Sequence, residues 1–409
     1  MLAACLAMAG AVQAAVPPTL LVRDTFDAAT GNVNDLNVDL TRQSGLLAPV
    51  TYTMAGGPGH YGHQLQNANA VNQLLVADFP NSTSSLNVNF NGANSAGGLK
   101  ISFDLDSVPT VYAGDPGNWG CVNLGMSAAD QMANVNQGVS HFGILFRATG
   151  TIQAFDGGSV VSPGAEPVYS VLPPGSFNHI DLVITDADGN PFDGVGNTVI
   201  DVYANGSASP VYSFTKAGGY ANNFINVQGS FRAHFDNLEI SRLDPGFENP
   251  SFEANSFTVF PGYHHQAGNG AIVGWTPSGG AGLNPSSGSP FANNGIIPNG
   301  SQVAFIQNGA DSSLSTVIPN LTIGQTYKVN FRVNARSGNT PNLKVDIDGN
   351  NVISTAVTAV GGTNPYKFFA FDFTATATSQ TMTLRNDAAP DNTVVLDDFS
   401  IAKSNNGWS

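Results

Sequence analysis

The run from Tyr327 to Arg336 limits what this chain can fold into more than any other stretch. Tyr327, Val329, Phe331, Val333 and Ala335 alternate with Lys328, Asn330, Arg332, Asn334 and Arg336. A period of two puts one set on each face of an extended strand, so the pattern predicts a β-strand with one buried face. The same alternation recurs at Leu99–Leu105, His179–Ile184 and Val199–Tyr203. No long segment repeats at the 3.6-residue spacing of an amphipathic helix. Many short strands separated by Gly, Asn and Pro predict an all-β chain built of β-sandwiches. Two hairpins are marked. Phe142–Arg147 and Thr151–Phe155 flank a Thr-Gly turn, and Leu343–Ile347 and Val352–Val357 flank Asp348-Gly349-Asn350.

The chain is divided near its middle. Phe235-Asp236-Asn237-Leu238-Glu239-Ile240 reads as a closing strand, Asp244-Pro245-Gly246 as a turn, and Asn249-Pro250-Ser251-Phe252-Glu253 as a new opening. The closing phrase returns as Leu396-Asp397-Asp398-Phe399-Ser400-Ile401. The expectation is two sandwiches in tandem, residues 20–243 and 246–403, followed by a polar tail at 404–409. Met1–Ala15 is an apolar, Ala-rich run ending in Val12-Gln13-Ala14. That is the form of a secretory signal peptide, here without its positive start, as in a truncated one. Leu2-Ala3-Ala4-Cys5 also resembles a bacterial lipoprotein box.

Composition removes several function classes. Apolar residues make up 42% of the 409, enough for real cores, while charged residues are only 11%. The net charge is −15 and the 14 Lys and Arg are scattered. Nucleic-acid binding needs clustered cations and is not expected. After the leader, no stretch approaches the roughly 20 apolar residues of a membrane helix. Of the two cysteines, Cys5 falls in the leader, which leaves Cys121 as a buried, small, apolar residue rather than half of a disulfide.

Short motifs add a resemblance for each half. Asp24-Thr25-Phe26-Asp27, Arg42-Gln43-Ser44-Gly45 and the closing Phe235–Ile240 resemble the concanavalin-like, laminin-G-like jelly rolls of bacterial secreted proteins. Enzymes of that fold that cut β-glucans carry a Glu-x-Asp-x-(x)-Glu strand. The glutamates here, Glu166, Glu239, Glu248 and Glu253, do not form it. Asp186-Ala187-Asp188-Gly189-Asn190 begins like a calcium loop, but Asn197 stands where the bidentate Glu belongs, and a hairpin turn is the simpler account. His60 and His63 have the spacing of a metal pair without a surrounding ligand cluster. In the second half, Ser251-Phe252-Glu253, Gly274-Trp275, Leu321–Tyr327, Phe368–Ala375 and Leu396–Phe399 resemble the cellulosome-type and endoglucanase-type carbohydrate-binding modules, which are galactose-binding-like jelly rolls.

That second resemblance implies a structural calcium held by Glu253 and Asp397, with Asp398 as a further ligand. The bland alternative is that these are solvated edge charges. Planar hydrogen-bonding groups beside aromatic faces suit sugars. The candidates for ligand binding are therefore Arg332, Asn334 and Arg336 on the polar face of the long strand, or else that face is hydrated and its arginines neutralise nearby Asp. Trp275 and Trp119 are stacking platforms or core residues. Tyr263, with His264 and His265, lies in a loop near the mouth of the jelly roll. The function expected is that of a secreted, non-catalytic bacterial protein that binds polysaccharide or a cell-surface glycan, or mediates adhesion. Two alternatives stay open. One is a polysaccharide lyase or hydrolase on the first domain, which needs two of Asp104, Asp106, Asp115, Glu166 and Asp201 in one groove. The other is a structural matrix protein with flat faces and no exposed aromatics.

Overall fold

All strand pairings among the described residues are antiparallel, and no helix forms among them. The computed structural model describes residues 19–26, 31–32, 52–55, 64–67, 73–76, 82–86, 98–106, 118–129, 135–138, 142–161, 176–186, 191–192, 194–220, 224–230, 233–255, 264–265, 272–285, 294–307, 312–358, 366–388 and 392–404. The chain is all-β, and it separates into units over Pro18–Asp244 and Pro245–Ser409. No helix among the described residues is long and apolar enough to cross a membrane.

The first unit has two sheets. One runs Tyr212–Ala217, Asn197–Ala204, Asn178–Asp186, Leu99–Asp106, His234–Arg242, Gln73–Val76, Gln64–Asn67 and Gly31–Asn32, and Thr19–Asp24 also pairs with His234–Arg242. The other runs Ser159–Val160, Ile152–Asp156, Phe142–Arg147, Trp119–Met126, Phe224–Ser230, Ser82–Leu86 and Tyr52–Ala55. Period-two alternation explains the sandwich. Ile101, Phe103 and Leu105 of the first sheet share one buried cluster with Val122, Leu124, Ile144 and Phe146 of the second. Gly120 is the clearest sign of how closely the sheets meet, since a Cβ there would stand 2.5 Å from Leu105 Cδ1. Cys121 is free and faces the other side of its sheet, buried with Val135, Leu145 and Phe155. Burial pushes its thiol pKa well up, against a backbone hydrogen bond from Ile144. The hairpin expected at Phe142–Phe155 forms, with Ile152–Asp156 paired on Phe142–Arg147. The strands on either side of the Asp186–Asn190 motif also pair, although residues 187–190 lie outside the described residues.

The second unit is again two sheets. One runs His264–His265, Ala281–Pro285, Gln302–Ile306, Val394–Lys403, Thr326–Ala335 and Lys367–Thr374. The other runs Thr276–Ser278, Ser313–Ile318, Gln380–Asn386, Asn342–Ile347 and Asn350–Ala356. The apolar face of the long strand, Tyr327 to Ala335, is buried throughout and packs with Leu343, Val345, Met382 and Leu384 from the opposite sheet. Asp348 and Gly349 both have positive φ, 46° and 79°, as a two-residue type I′ hairpin requires.

Both closing strands carry the same irregularity. The pairing of His234–Arg242 on Leu99–Asp106 shifts between Asp236 and Glu239, and that of Val394–Lys403 on Thr326–Ala335 shifts at Arg332. Each shift is a β-bulge whose extra residue takes positive φ, Asn237 at 48° and Asp398 at 56°. The extra residue lets Phe235 and Leu238, or Leu396 and Phe399, both point into the core despite a spacing of three. This is the physical content of the repeated closing phrase.

Candidate functional site on the outer face of the second unit

Alternation along Thr326–Ala335 leaves Lys328, Asn330 and Arg332 on the outer face of the six-stranded sheet, all half-buried. The neighbouring strand supplies Phe368 opposite Arg332 and Asp372 opposite Lys328. Phe368 is 58% exposed, and the Arg332 guanidinium carbon lies 5.1 Å from its ring centroid. Arg332 Nε is also 3.7 Å from Asp398 Oδ2, and Lys328 Nζ is 3.0 Å from Asp372. Asn330 Nδ2 donates to Ser400 Oγ at 3.5 Å. The result is an exposed aromatic ring set among planar and hydroxyl hydrogen-bonding groups, with its charges matched in pairs.

Of the other expected residues, Asn334 is buried on this side of the sheet, Arg336 stands past the strand end, and Trp275 is in the core. Asn334 is 1% exposed, and its Oδ1 accepts the Ala335 N–H at 2.9 Å. It is buried because its cross-strand neighbour is Val395, one of an apolar group on the same side of the sheet. Arg336 stands past the strand end, where its N–H donates to Thr393 O at 3.0 Å. Trp275 is core and no platform. It is 3% exposed, its ring lies 4.9 Å from Phe399 and 5.1 Å from Phe252, and its Nε1 donates to the carbonyls of Glu248 and Asn249. Trp119 is half-buried against the Cys121 cluster. Tyr263, His60 and His63 lie outside the described residues, and His264–His265 forms a short strand on Ala281–Pro285.

The three acidic residues expected to hold a cation meet at the loop from Gly295 to Gln302. Glu253 Oε1 accepts the N–H groups of Ser301 and Gln302 at 2.8 and 2.7 Å, and Oε2 accepts Ser301 Oγ at 3.0 Å. Asp397 Oδ2 accepts the Asn299 N–H at 2.9 Å, and Oδ1 the Asp398 N–H at 2.7 Å. The opening and closing segments are thus fastened by backbone donors of one loop. Gly300, at φ 76°, is needed there because a Cβ would stand 2.3 Å from the Glu253 carboxyl carbon. Asp397 has no exposed surface. Burial is the main cause that pushes its carboxyl up to about 7. The two backbone N–H donors pull it down, and repulsion from Asp398 and Glu253 adds to the rise. The donor set is hard oxygen, as calcium requires. Among the described residues no three His, Cys, Asp or Glu side chains form a group able to hold a metal ion.

The apolar group beside Asn334 is the feature the sequence least announces. Val303, Phe305, Tyr366 and Val395 are buried together on the outer side of the sheet, with Ile297 packed on them. Val303 and Phe305 alternate with core residues Ala304 and Ile306, and Phe305 pairs with Val395.

In the first unit, three of the carboxylates that a hydrolase would need are among the described residues. Asp104 and Asp201 lie on strands separated by Asn178–Asp186, and Asp106 is buried. Asp115 and Glu166 lie outside the described residues.

Residues 244–387, which is 144 of the 409, match the HpiC1-like family model, described as HpiC1 cyclase. The match ends before the strand that carries Asp397. No curated protein matches the chain. Among solved structures, the chain is similar to the CBM22-1 xylan-binding domain of Paenibacillus barcinonensis Xyn10C, at 16% identity and a TM-score of 0.25 over 33% of this chain and 88% of that one. It is similar to a cyclase from Fischerella sp. TAU at 15% identity and a TM-score of 0.29, over 39% and 95%. It is similar to TmCBM61, solved with β-1,4-galactotriose, at 19% identity and a TM-score of 0.24, over 38% and 96%.

Proposed function

We propose that this is a secreted, non-catalytic bacterial protein whose second unit binds polysaccharide or a cell-surface glycan across the outer face of its six-stranded sheet. The observation that carries the reading is Phe368, an exposed ring held beside Arg332 on that face. Sugar C–H faces stack on such rings while hydroxyls take hydrogen bonds from planar groups. A structural matrix protein with flat, aromatic-free faces would have no use for this arrangement. The test is a glycan array with the full chain, followed by titration of any positive glycan. Phe368→Ala and Arg332→Ala are each expected to weaken binding about tenfold, the size of one lost stacking or hydrogen-bonding contact. Unchanged affinity in both variants would move the site off this face.

Calcium enters this reading at Asp397, where a cation would offset the repulsion among Asp397, Asp398 and Glu253. It is expected to raise the melting temperature at pH 8, and Asp397→Asn to remove that effect. No shift on adding calcium or chelator would leave the loop's N–H donors as the whole fastening.

A further inference from the structure

We infer that the Tyr366 hydroxyl is the hydrogen-bonding centre of the glycan site, and that the site takes an uncharged sugar. The inference rests on the glycan-binding reading of this face and names its ligand class.

Tyr366 is 5% exposed, and its hydroxyl has no hydrogen-bond partner among the described residues. An unpartnered buried polar group costs about 1–3 kcal/mol, so native proteins keep few of them, and those few ask for a reason. The surroundings supply one. Tyr366 belongs to the apolar group of Val303, Phe305 and Val395 on the outer side of the sheet, where a strand exposed on that face would carry polar residues. It directly precedes the strand that carries Phe368, so phenol and exposed ring flank one stretch of the sheet. An apolar floor with a single hydroxyl suits a pyranose, whose C–H face needs the floor and whose hydroxyl needs the partner.

The charge around it selects against acidic sugars. Burial first, and the Asp397 charge second, raise the phenol pKa of Tyr366, which places Asp397 close by. The cations of the face are matched already, Lys328 by Asp372 and Arg332 by Asp398. A uronate would therefore meet the Asp397 carboxyl, while Lys328 and Arg332 already face carboxylates of the protein.

Ile297, which packs on the cluster, is carried by the Gly295–Gly300 loop, and both glycines have positive φ, 86° and 76°. A sugar that reaches the cluster has to displace the Ile297 side chain packed on it.

The experiment is calorimetric titration of the full chain with three probes, xylohexaose, β-1,4-galactotriose and trigalacturonate, in wild type, Tyr366→Phe and Phe368→Ala. Tyr366→Phe keeps the ring and removes only the hydroxyl. The expected result is binding of at least one neutral probe, weakened about tenfold in Tyr366→Phe, with a melting temperature no lower than wild type. Tyr366→Phe at wild-type affinity while Phe368→Ala loses binding overturns this inference and leaves the glycan reading standing. A preference for trigalacturonate overturns the ligand class. A melting temperature several degrees lower in Tyr366→Phe shows the hydroxyl to be partnered within the protein, and also overturns it. Absence of binding to every probe and across the array overturns both.

Discussion

Phe235-Asp236-Asn237-Leu238 and Leu396-Asp397-Asp398-Phe399 are one four-residue device in two surroundings. In each, the Asp accepts the N–H of the next residue, at 2.8 and 2.7 Å, and that next residue forms the bulge at positive φ. The partners of the bulge residue differ. Asn237 Nδ2 donates to Asp104 at 2.8 Å, Asp104 holds His179 Nδ1 at 2.7 Å, and His179 Nε2 lies 3.3 Å from Asp181, which takes Lys100 and Ser102 as well. Each step ends on another group of the protein. Asp398 instead faces Arg332, and Arg332 lies over an exposed phenylalanine. A polar face whose groups satisfy one another holds strands together, whereas one that ends on an exposed ring, beside a hydroxyl that no described group partners, has capacity left for a ligand.

The sharpest way to break the comparison is through pH, because the two networks respond with different slopes. Asp397 is raised in the fold from the ordinary 3.8 to about 7, chiefly by burial. Between those values the folded state binds a proton that the unfolded state does not, so stability of the second unit falls as pH rises from 4 to 7. At about 1.36 kcal/mol per pH unit the change approaches ~4 kcal/mol as an upper bound. Asp397→Asn is expected to remove the slope and to stabilise the unit at pH 8. Amide-exchange protection in the second unit, corrected for intrinsic exchange, reads this directly, and a slope that survives the substitution would place the titrating group elsewhere.

A smaller effect tests the bulges themselves. Asn tolerates the left-handed region and Ala does not, at about 1–2 kcal/mol, and Asn237→Ala also forfeits the bond to Asp104. We expect about 2 kcal/mol of destabilisation in the first unit. Asp398→Gly should be neutral or stabilising, since it relieves the backbone and removes a charge that repels Asp397. Urea unfolding of both variants measures the contrast. Equal losses would show that the two bulges differ less than their side-chain partners suggest.

Much of this contrast is legible in the sequence, and the parts that are not have physical causes. The inner face of Thr326–Ala335 follows from alternation alone, and Asp348-Gly349 announces its turn. Phe368 has a signal of the same kind, because counting from the buried Phe371 and Phe373 by twos puts it on the opposite face. Asn334 departs from expectation because alternation fixes which way a side chain points, while burial depends on the neighbour across the sheet. That neighbour, Val395, is set by a register that only the bulge at Asp398 determines. The bulge also separates Asp397, which is buried, from Asp398, which reaches Arg332, although the two are adjacent in an otherwise uniform phrase. Trp275 after a glycine reads the same for a platform as for a core ring, and the Glu248 and Asn249 carbonyls that take its Nε1 proton lie 27 and 26 residues away. Tyr366 belongs to no motif; counting by twos from Phe368 gives its side of the sheet, but its burial there emerges only from the neighbouring strands that carry Val303, Phe305 and Val395.

The last contrast is the mildest. His179 is raised to about 10, first by its hydrogen bond to Asp104 and then by that to Asp181, with burial opposing. A histidine raised in this way contributes stability that is full below pH 6.5 and is lost as pH climbs through 10. Burial pushes Asp181 up, but hydrogen bonds from His179, Ser102 and Lys100 prevail and bring it to about 2, so its contribution is present above pH 3.8 and fades as pH falls through 2. The first unit is therefore expected to be flat from about pH 4 to 6.5, the interval over which the second unit is already losing stability. Because the His179 side chain is half exposed, solvent screening holds the effect of His179→Ala to about 1 kcal/mol or less. Exchange protection along Asn178–Asp186 and Leu99–Asp106 should drop slightly at pH 6 and converge with wild type near pH 10. A loss that persists unchanged at pH 10 would mean that packing of the imidazole, rather than its charge, joins those strands, and the closed network of the first unit would then owe its stability to shape.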